Sequence, residues 1–162
     1  DGVRDLGCCP SPFDSYLMTL GLETLSLRVR HEVESARRLA EYCRNHPKVE
    51  RVSFVGFESH PSYANAKKYF RFGSSAVFTI ELKGTLDSTV RFVESLNLAA
   101  HMVMIGDSVT VVTHPASTTH KQLSDADLAA AGVTPTMLRI SVGLENTDDL
   151  IDDFEQAFAH IG

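Results

Sequence analysis

The segment SAVFTIELKG (75–84) constrains the fold most. It is rich in β-branched and aromatic residues, it alternates, and Gly84 closes it, which is the pattern of a half-buried strand. Such a strand needs neighbours in a sheet and a layer over its apolar face. Both are present in the sequence. VERVSFVG (49–56) and MLRISVG (137–143) read as further strands, and AHMVMI and TVVT are short strand candidates on either side of Gly106-Asp107.

The covering layer reads as helices. Ser11-Pro12 is a hydroxyl cap followed by proline at the first helical position, so PFDSYLMTL is helical, with a break expected at Gly21. In SLRVRHEVESARRLAEYCRNH the residues Leu27, Val29, Val33, Ala36, Leu39, Ala40 and Cys43 fall near one face, and Pro47 ends the helix. HPSYANAKKYF has helical composition. TLDSTVRFVESLNL is amphipathic, with Leu86, Val90, Phe92, Val93 and Leu96 apolar. SDADLAAAG is a short helix with a capping box from Ser124 to Asp127. The last helix starts at Thr147 and turns Leu150, Ile151, Phe154, Ala157, Phe158 and Ile161 inward. The order predicts one α/β (α+β) layer: a mixed or mostly antiparallel sheet of four or five strands with helices on one face. Residues 1–20 are expected to dock elsewhere and 21–162 to form the domain proper.

Composition narrows the function. With 162 residues one core suffices. The net charge is −6 and no basic stretch exceeds Lys67-Lys68, so nucleic acid is not an expected partner. No apolar run approaches the ~18 residues of a membrane span. Cys8, Cys9 and Cys43 are an odd set with two adjacent, which fits reduced thiols in the cytoplasm better than a disulfide framework. The opening DGVRDLG has no initiator Met, cap or strand signal, and the chain is expected to be a piece of a longer one.

The chemistry-bearing residues gather around THPASTTH (113–120). His101, His114 and His120 are spaced by 13 and 6 residues, with no close pair of the kind zinc sites use, so no metal is expected. No GxSxG elbow is present, and GDS (106–108) reads as a turn and not a phosphate cradle. Arg139 stands out. Leu138, Ile140 and Val142 share one parity of their strand, and Arg139, Ser141 and Gly143 share the other. A planar guanidinium on such a face suits bidentate binding of a carboxylate. An edge arginine in water or paired with Glu145 fits the pattern equally well.

Taken together, RDLGCCPSPFDSYLMTLGLETLSLRVRHEVESARRLAEYCRNHPKVERV, IGDSVTVVTHPASTTHKQLS and AAAGVTPTMLRISVGLENTDDLIDDFEQA resemble the C-terminal part of the Cys/Met-metabolism pyridoxal-phosphate enzymes. The combination GLETL, HPASTTH and LRISVGLE carries the resemblance over nearly the whole chain, and HPASTTHKQLS and ELKG are most similar to O-acetylhomoserine sulfhydrylase. The resemblance implies the small C-terminal domain of a fold-type-I enzyme, part of a cytoplasmic homotetramer. Its substrates would be an acylated homoserine and sulfide, and its cofactor pyridoxal phosphate, whose ring acts as an electron sink. Arg139 matches the family's carboxylate-binding arginine, and Thr119 a threonine that supports it. Met104 stands where the family has a substrate-contacting Ser or Asn, and its side chain cannot donate a hydrogen bond. Val55 stands where proline is common. His114 and His120 then read as structural loop residues.

No catalytic residue is expected in this chain. Lys48, Lys67, Lys68, Lys83 and Lys121 do not match the family's lysine motif, and the cofactor-binding residues would lie in a large N-terminal domain on which residues 1–20 would dock. The alternatives are a methionine γ-lyase, a cystathionine γ-synthase or lyase, and a non-catalytic small-molecule-binding module.

Overall fold

The computed structural model describes residues 2–161. Five strands form one sheet: β1 (Val49–Ser53), β2 (Val77–Leu82), β3 (Ala100–His101), β4 (Val111–Thr113) and β5 (Met137–Ser141), in the order β1-β2-β5-β4-β3. All pairings are antiparallel except β3 with β4, so the sheet is mixed. The helices are α1 (Gly2–Leu6), α2 (Pro12–Glu23), α3 (Leu25–Asn45), α4 (Tyr63–Tyr69), α5 (Leu86–Glu94), α6 (Asp125–Ala130) and α7 (Thr147–Ala159).

Strand alternation builds the core. Phe78 faces Ile140, and Ile140 faces Val112 on its other side; Ile80 faces Leu138. These side chains are almost wholly buried, and they join Ala36, Leu39, Ala40 and Cys43 of α3, Phe92 and Val93 of α5, and Leu150, Phe154 and Phe158 of α7 in one cluster. Phe92 packs with its ring centroid 5.5 Å from that of Phe154 and 4.7 Å from that of Phe158. Burial pushes the Cys43 thiol far above its usual range, so it behaves as a small apolar side chain.

Capping follows the sequence. Ser11 accepts from the Asp14 N–H and Asp14 returns the bond, a capping box with Pro12 at the first position. Asn146 caps α7 through the Asp148 N–H at 2.8 Å. At α6 Ser124 caps as expected, accepting from the Asp127 N–H at 3.3 Å, while Asp127 accepts from the Ser124 hydroxyl at 2.7 Å and not from its main chain. Asp153 in the second turn of α7 is buried and accepts from the main-chain N–H groups of Asn97, Leu98 and Ala99 at 2.8, 3.1 and 3.0 Å. It thereby fixes the chain entering β3.

Two expectations change. The break after α2 falls at Thr24 and not at Gly21, because an exposed helix carries one glycine at a cost of only about 1 kcal/mol. The inward face of α3 also begins later. Leu27 is 66% exposed, Val29 is 41% exposed, and no residue of α2 is buried. The stripe is continuous in sequence, but the sheet lies under its second half alone. Leu86, expected to point inward on α5, is exposed as well.

Candidate functional site

The face of the sheet opposite the helices carries polar groups. Arg139 projects there from β5, with Thr79 of β2 on one side and Thr113 of β4 on the other, each its register partner. Cross-strand partners share a face, so the neighbours of Arg139 follow from the register.

Both hydrogen bonds of the guanidinium leave from Nη2. One goes to Thr113 Oγ1 at 3.2 Å and the other, longer, to the Met104 carbonyl at 3.4 Å. Nε is buried and has no partner. Among the described residues no carboxylate pairs with this arginine. Glu145, the acid that an ion-pair reading requires, is engaged elsewhere: its carboxylate accepts from the Thr110 N–H at 2.6 Å and the Thr110 hydroxyl at 2.7 Å. The ion-pair alternative for Arg139 is therefore not what the fold contains.

The segment 102–110 runs across this polar face. Thr113 donates to the Met102 carbonyl at 2.6 Å, and the Met102 N–H donates to the Val112 carbonyl at 3.3 Å. Gly106, at φ +76° in the left-handed region, donates its N–H to Ser141 Oγ at 3.0 Å. The far end is fastened by Thr110, whose hydroxyl accepts from the Gly143 N–H at 2.9 Å while donating to Glu145. Gly143 is required by close approach. A Cβ there would lie 2.5 Å from the Ser108 carbonyl oxygen and 2.6 Å from the Thr110 nitrogen. With its main chain pinned inward, the segment leaves Met102, Val103, Met104 and Ile105 about half exposed.

Met104 lies beside Arg139 through its main-chain carbonyl. Thr119 does not support Arg139 in the expected way. It is exposed, and its hydroxyl pairs with His120 Nδ1 at 2.8 Å. The hydroxyl that meets the guanidinium is that of Thr113, which sequence reading passed over. Choosing it needs the β4–β5 register, which sets Thr113 directly opposite Arg139.

His114 is structural. It is buried, its Nε2–H donates to the Pro135 carbonyl at 2.8 Å, and Nδ1 pairs with Ser117 Oγ at 2.8 Å. A carbonyl can only accept, so Nε2 carries a proton, and the Ser117 hydroxyl meets Nδ1. Both nitrogens are thereby occupied. His101 is exposed on β3. Among the described residues no three His, Cys, Asp or Glu side chains gather as metal ligands do.

The groups bonded to Arg139 or paired beside it are hydroxyls and a carbonyl, with no lysine amine or aromatic ring among them. That set suits the carboxylate of a bound molecule. It does not suit a pyridine ring or a lysine-linked cofactor.

O-acetyl-L-homoserine sulfhydrylase 1 of Thermus thermophilus is 43% identical over 159 residues, 98% of this chain and 38% of that protein. Homocysteine synthase of Schizosaccharomyces pombe is 46% identical over 155 residues, 96% of this chain and 36% of that protein. A candidate O-acetylhomoserine (thiol)-lyase of Campylobacter jejuni, solved with N′-pyridoxyl-lysine-5′-monophosphate, superposes with a TM-score of 0.86 at 36% identity, over 97% of this chain and 37% of that one. The chain therefore spans a little over a third of the length of these relatives. The family described as Cys/Met metabolism PLP-dependent enzyme matches residues 2–159. With that match running through the strands, the Arg139 face and the helices alike, the chain belongs to the Cys/Met metabolism PLP-dependent enzyme family.

Proposed function

We propose that this chain forms the substrate-carboxylate wall of a pyridoxal-phosphate-dependent O-acylhomoserine sulfhydrylase, an enzyme that replaces the acyl group of O-acetyl- or O-succinylhomoserine by sulfide. One observation carries the reading: Arg139 has a buried Nε without a partner, and among the described residues no carboxylate pairs with it. A buried donor left unpaired costs about 1–3 kcal/mol, and an incoming carboxylate removes that cost. The likeness to an O-acetyl-L-homoserine sulfhydrylase and a homocysteine synthase supports the choice of reaction.

Pyridoxal phosphate, when bound, supplies the electron sink for chemistry at the amino-acid α-carbon. The work of this chain is orientation. Arg139 fixes the α-carboxylate, and the main chain at Met104 borders it. Holding one end of the substrate sets the direction of its Cα–H bond, and such positioning accounts for a large part of catalysis in bimolecular reactions. The cofactor lysine and phosphate site belong, in this reading, to the remainder of a longer polypeptide. Residues 1–20 and the exposed start of α3 dock there, because α2 buries no side chain within this chain. A cytoplasmic homotetramer belongs to the same proposal.

The test uses the full-length protein with O-acetyl-L-homoserine and sulfide. Arg139→Lys keeps the charge and loses the fork, so kcat/KM should fall about 10- to 150-fold, the scale of a hydrogen bond to a charged group. Near-normal kinetics in this variant would overturn the reading. The 162-residue chain alone, mixed with pyridoxal phosphate, should show no stoichiometric absorbance of a lysine-bound cofactor. A stoichiometric band at one lysine would contradict the division of labour.

A further inference from the structure

Resting on Arg139 as the carboxylate ligand, we infer that Thr113 is a positioning residue: its hydroxyl holds the guanidinium in register with the segment 102–106, so that the arginine and the main chain at Met104 reach the substrate as one unit.

Thr113 is 1% exposed and stands directly opposite Arg139 in the β4–β5 ladder. Its hydroxyl has one proton. That proton is committed to the Met102 carbonyl, the shorter of its two contacts at 2.6 Å. Only lone pairs remain on the side of Arg139, and an arginine offers only donors. The 3.2 Å contact from Nη2 therefore has a single polarity and cannot invert. The result is a relay of fixed direction, from guanidinium to hydroxyl to the Met102 carbonyl. Two residues further on, the Met104 carbonyl takes the second, longer bond from the same Nη2.

Burial and strand propensity do not explain a threonine here. Val111 and Val112 fill the preceding positions of β4 and are fully buried, and a third valine would serve the strand as well. What valine cannot do is accept from Arg139 while donating to Met102. Without the hydroxyl the Met102 carbonyl loses its side-chain donor and Nη2 keeps only its long contact. The guanidinium is then free to leave the orientation it holds beside the Met104 main chain.

The experiment compares variants of the full-length protein in steady-state assays with O-acetyl-L-homoserine and sulfide. Thr113→Val keeps the shape and removes the hydroxyl. KM for O-acetyl-L-homoserine should rise about 10-fold, with kcat and the KM for sulfide changed less than about 2-fold, because one hydrogen bond to a charged group is lost at the carboxylate end. Thr113→Ser restores the hydroxyl and should bring KM back to within about 2-fold. In an Arg139→Lys background, Thr113→Val should add less than about 2-fold, since its effect passes through the arginine fork. If the valine variant is not recovered folded, Thr113→Ala provides the second hydroxyl-free protein. An unchanged KM in the hydroxyl-free variant, failure of serine to rescue, or a full additional loss in the Arg139→Lys background each overturns the inference. A raised KM in Arg139→Lys beside a normal one in Thr113→Val overturns this inference alone. A near-normal kcat/KM in Arg139→Lys overturns the carboxylate reading and this inference with it.

Discussion

The two faces of β5 differ in what they leave unfinished. On one, Leu138, Ile140 and Val142 are each fully buried and packed into the aromatic and aliphatic cluster below the helices. On the other, Arg139 keeps a buried donor without a partner, and Ser141 and Gly143 hold a segment whose apolar side chains point outward. One short strand thus carries both the closed interior and the open site, and the period of two keeps them apart. The lesson concerns where substitutions act: changes on the helix side cost stability, and changes on the polar side should cost recognition.

The largest test of this division is Ile140→Ala. Ile140 is 0% exposed and sits between Phe78 and Val112. Truncation removes transfer free energy and leaves a cavity, so unfolding in denaturant should show a loss of about 2–5 kcal/mol. A loss below 1 kcal/mol would mean the face is less closed than its burial indicates.

Gly143→Ala sharpens the comparison from the other side. The added methyl meets main-chain atoms of Ser108, Val109 and Thr110 near 2.5 Å, and backbone cannot swing aside as a side chain can. The expected cost is about 1–3 kcal/mol, the usual range for overpacking. Because the displaced atoms lead into the segment beside Arg139, the full-length variant should also lose affinity for the amino-acid substrate. Unchanged stability and unchanged KM together would show that the 108–110 chain is free to shift.

The order of elements from α2 onward and the parity of β5 were legible in the sequence, because alternation and capping are local signals; helix α1 at Gly2–Leu6 was not, since no cap signal precedes it. The path of β3 was not. It is only two residues long, and its entry is set by Asp153, more than fifty residues away in the chain. The exposure of Leu27 and Val29 was also out of reach, since a helical stripe records which side is apolar and not how far its partner extends. At the site, Arg139 and Met104 were readable as neighbours. Thr113 was not, because choosing it over Thr119 requires the β4–β5 register.

A smaller effect concerns the helix side, which is not wholly indifferent to pH. His46 stacks on Phe158 with ring centroids 3.8 Å apart, and its Nδ1 accepts from the Lys48 N–H at 3.2 Å. Burial lowers its pKa below the ordinary 6.5; Glu155 opposes the shift and Lys48 adds to it. A group with a depressed folded pKa takes up protons more readily in the unfolded chain. The stability it contributes is therefore present above pH 6.5 and declines as pH falls from 6.5 through the folded value. His46→Gln should flatten the fall in melting temperature between pH 7 and 5; an unchanged slope would place the sensitivity elsewhere.

The smallest expected effect is at the exposed start of the chain. Leu17 is half exposed on α2. In the 162-residue chain Leu17→Ala should alter stability by no more than about 0.5 kcal/mol, as for other surface substitutions. In the full-length protein the same change should cost more, because the proposed docking buries it. Equal small effects in both would leave that docking without support.

The margins of the sheet limit how copies of this chain can associate. At one margin β3 offers only two residues to a newcomer. At the other, β1 carries an irregularity between Val49 and Arg51, and Arg51 is tied in an ion pair to Glu81 of the adjacent strand. A brief edge and a bulged, charged one are poor templates for adding a strand. Growth of the sheet from chain to chain, the usual route to fibrous aggregates, is thereby disfavoured at both ends. The apolar surface this chain does expose lies on its helices, on the 102–105 segment and on loops such as the one carrying Phe70 and Phe72, not on the sheet edges.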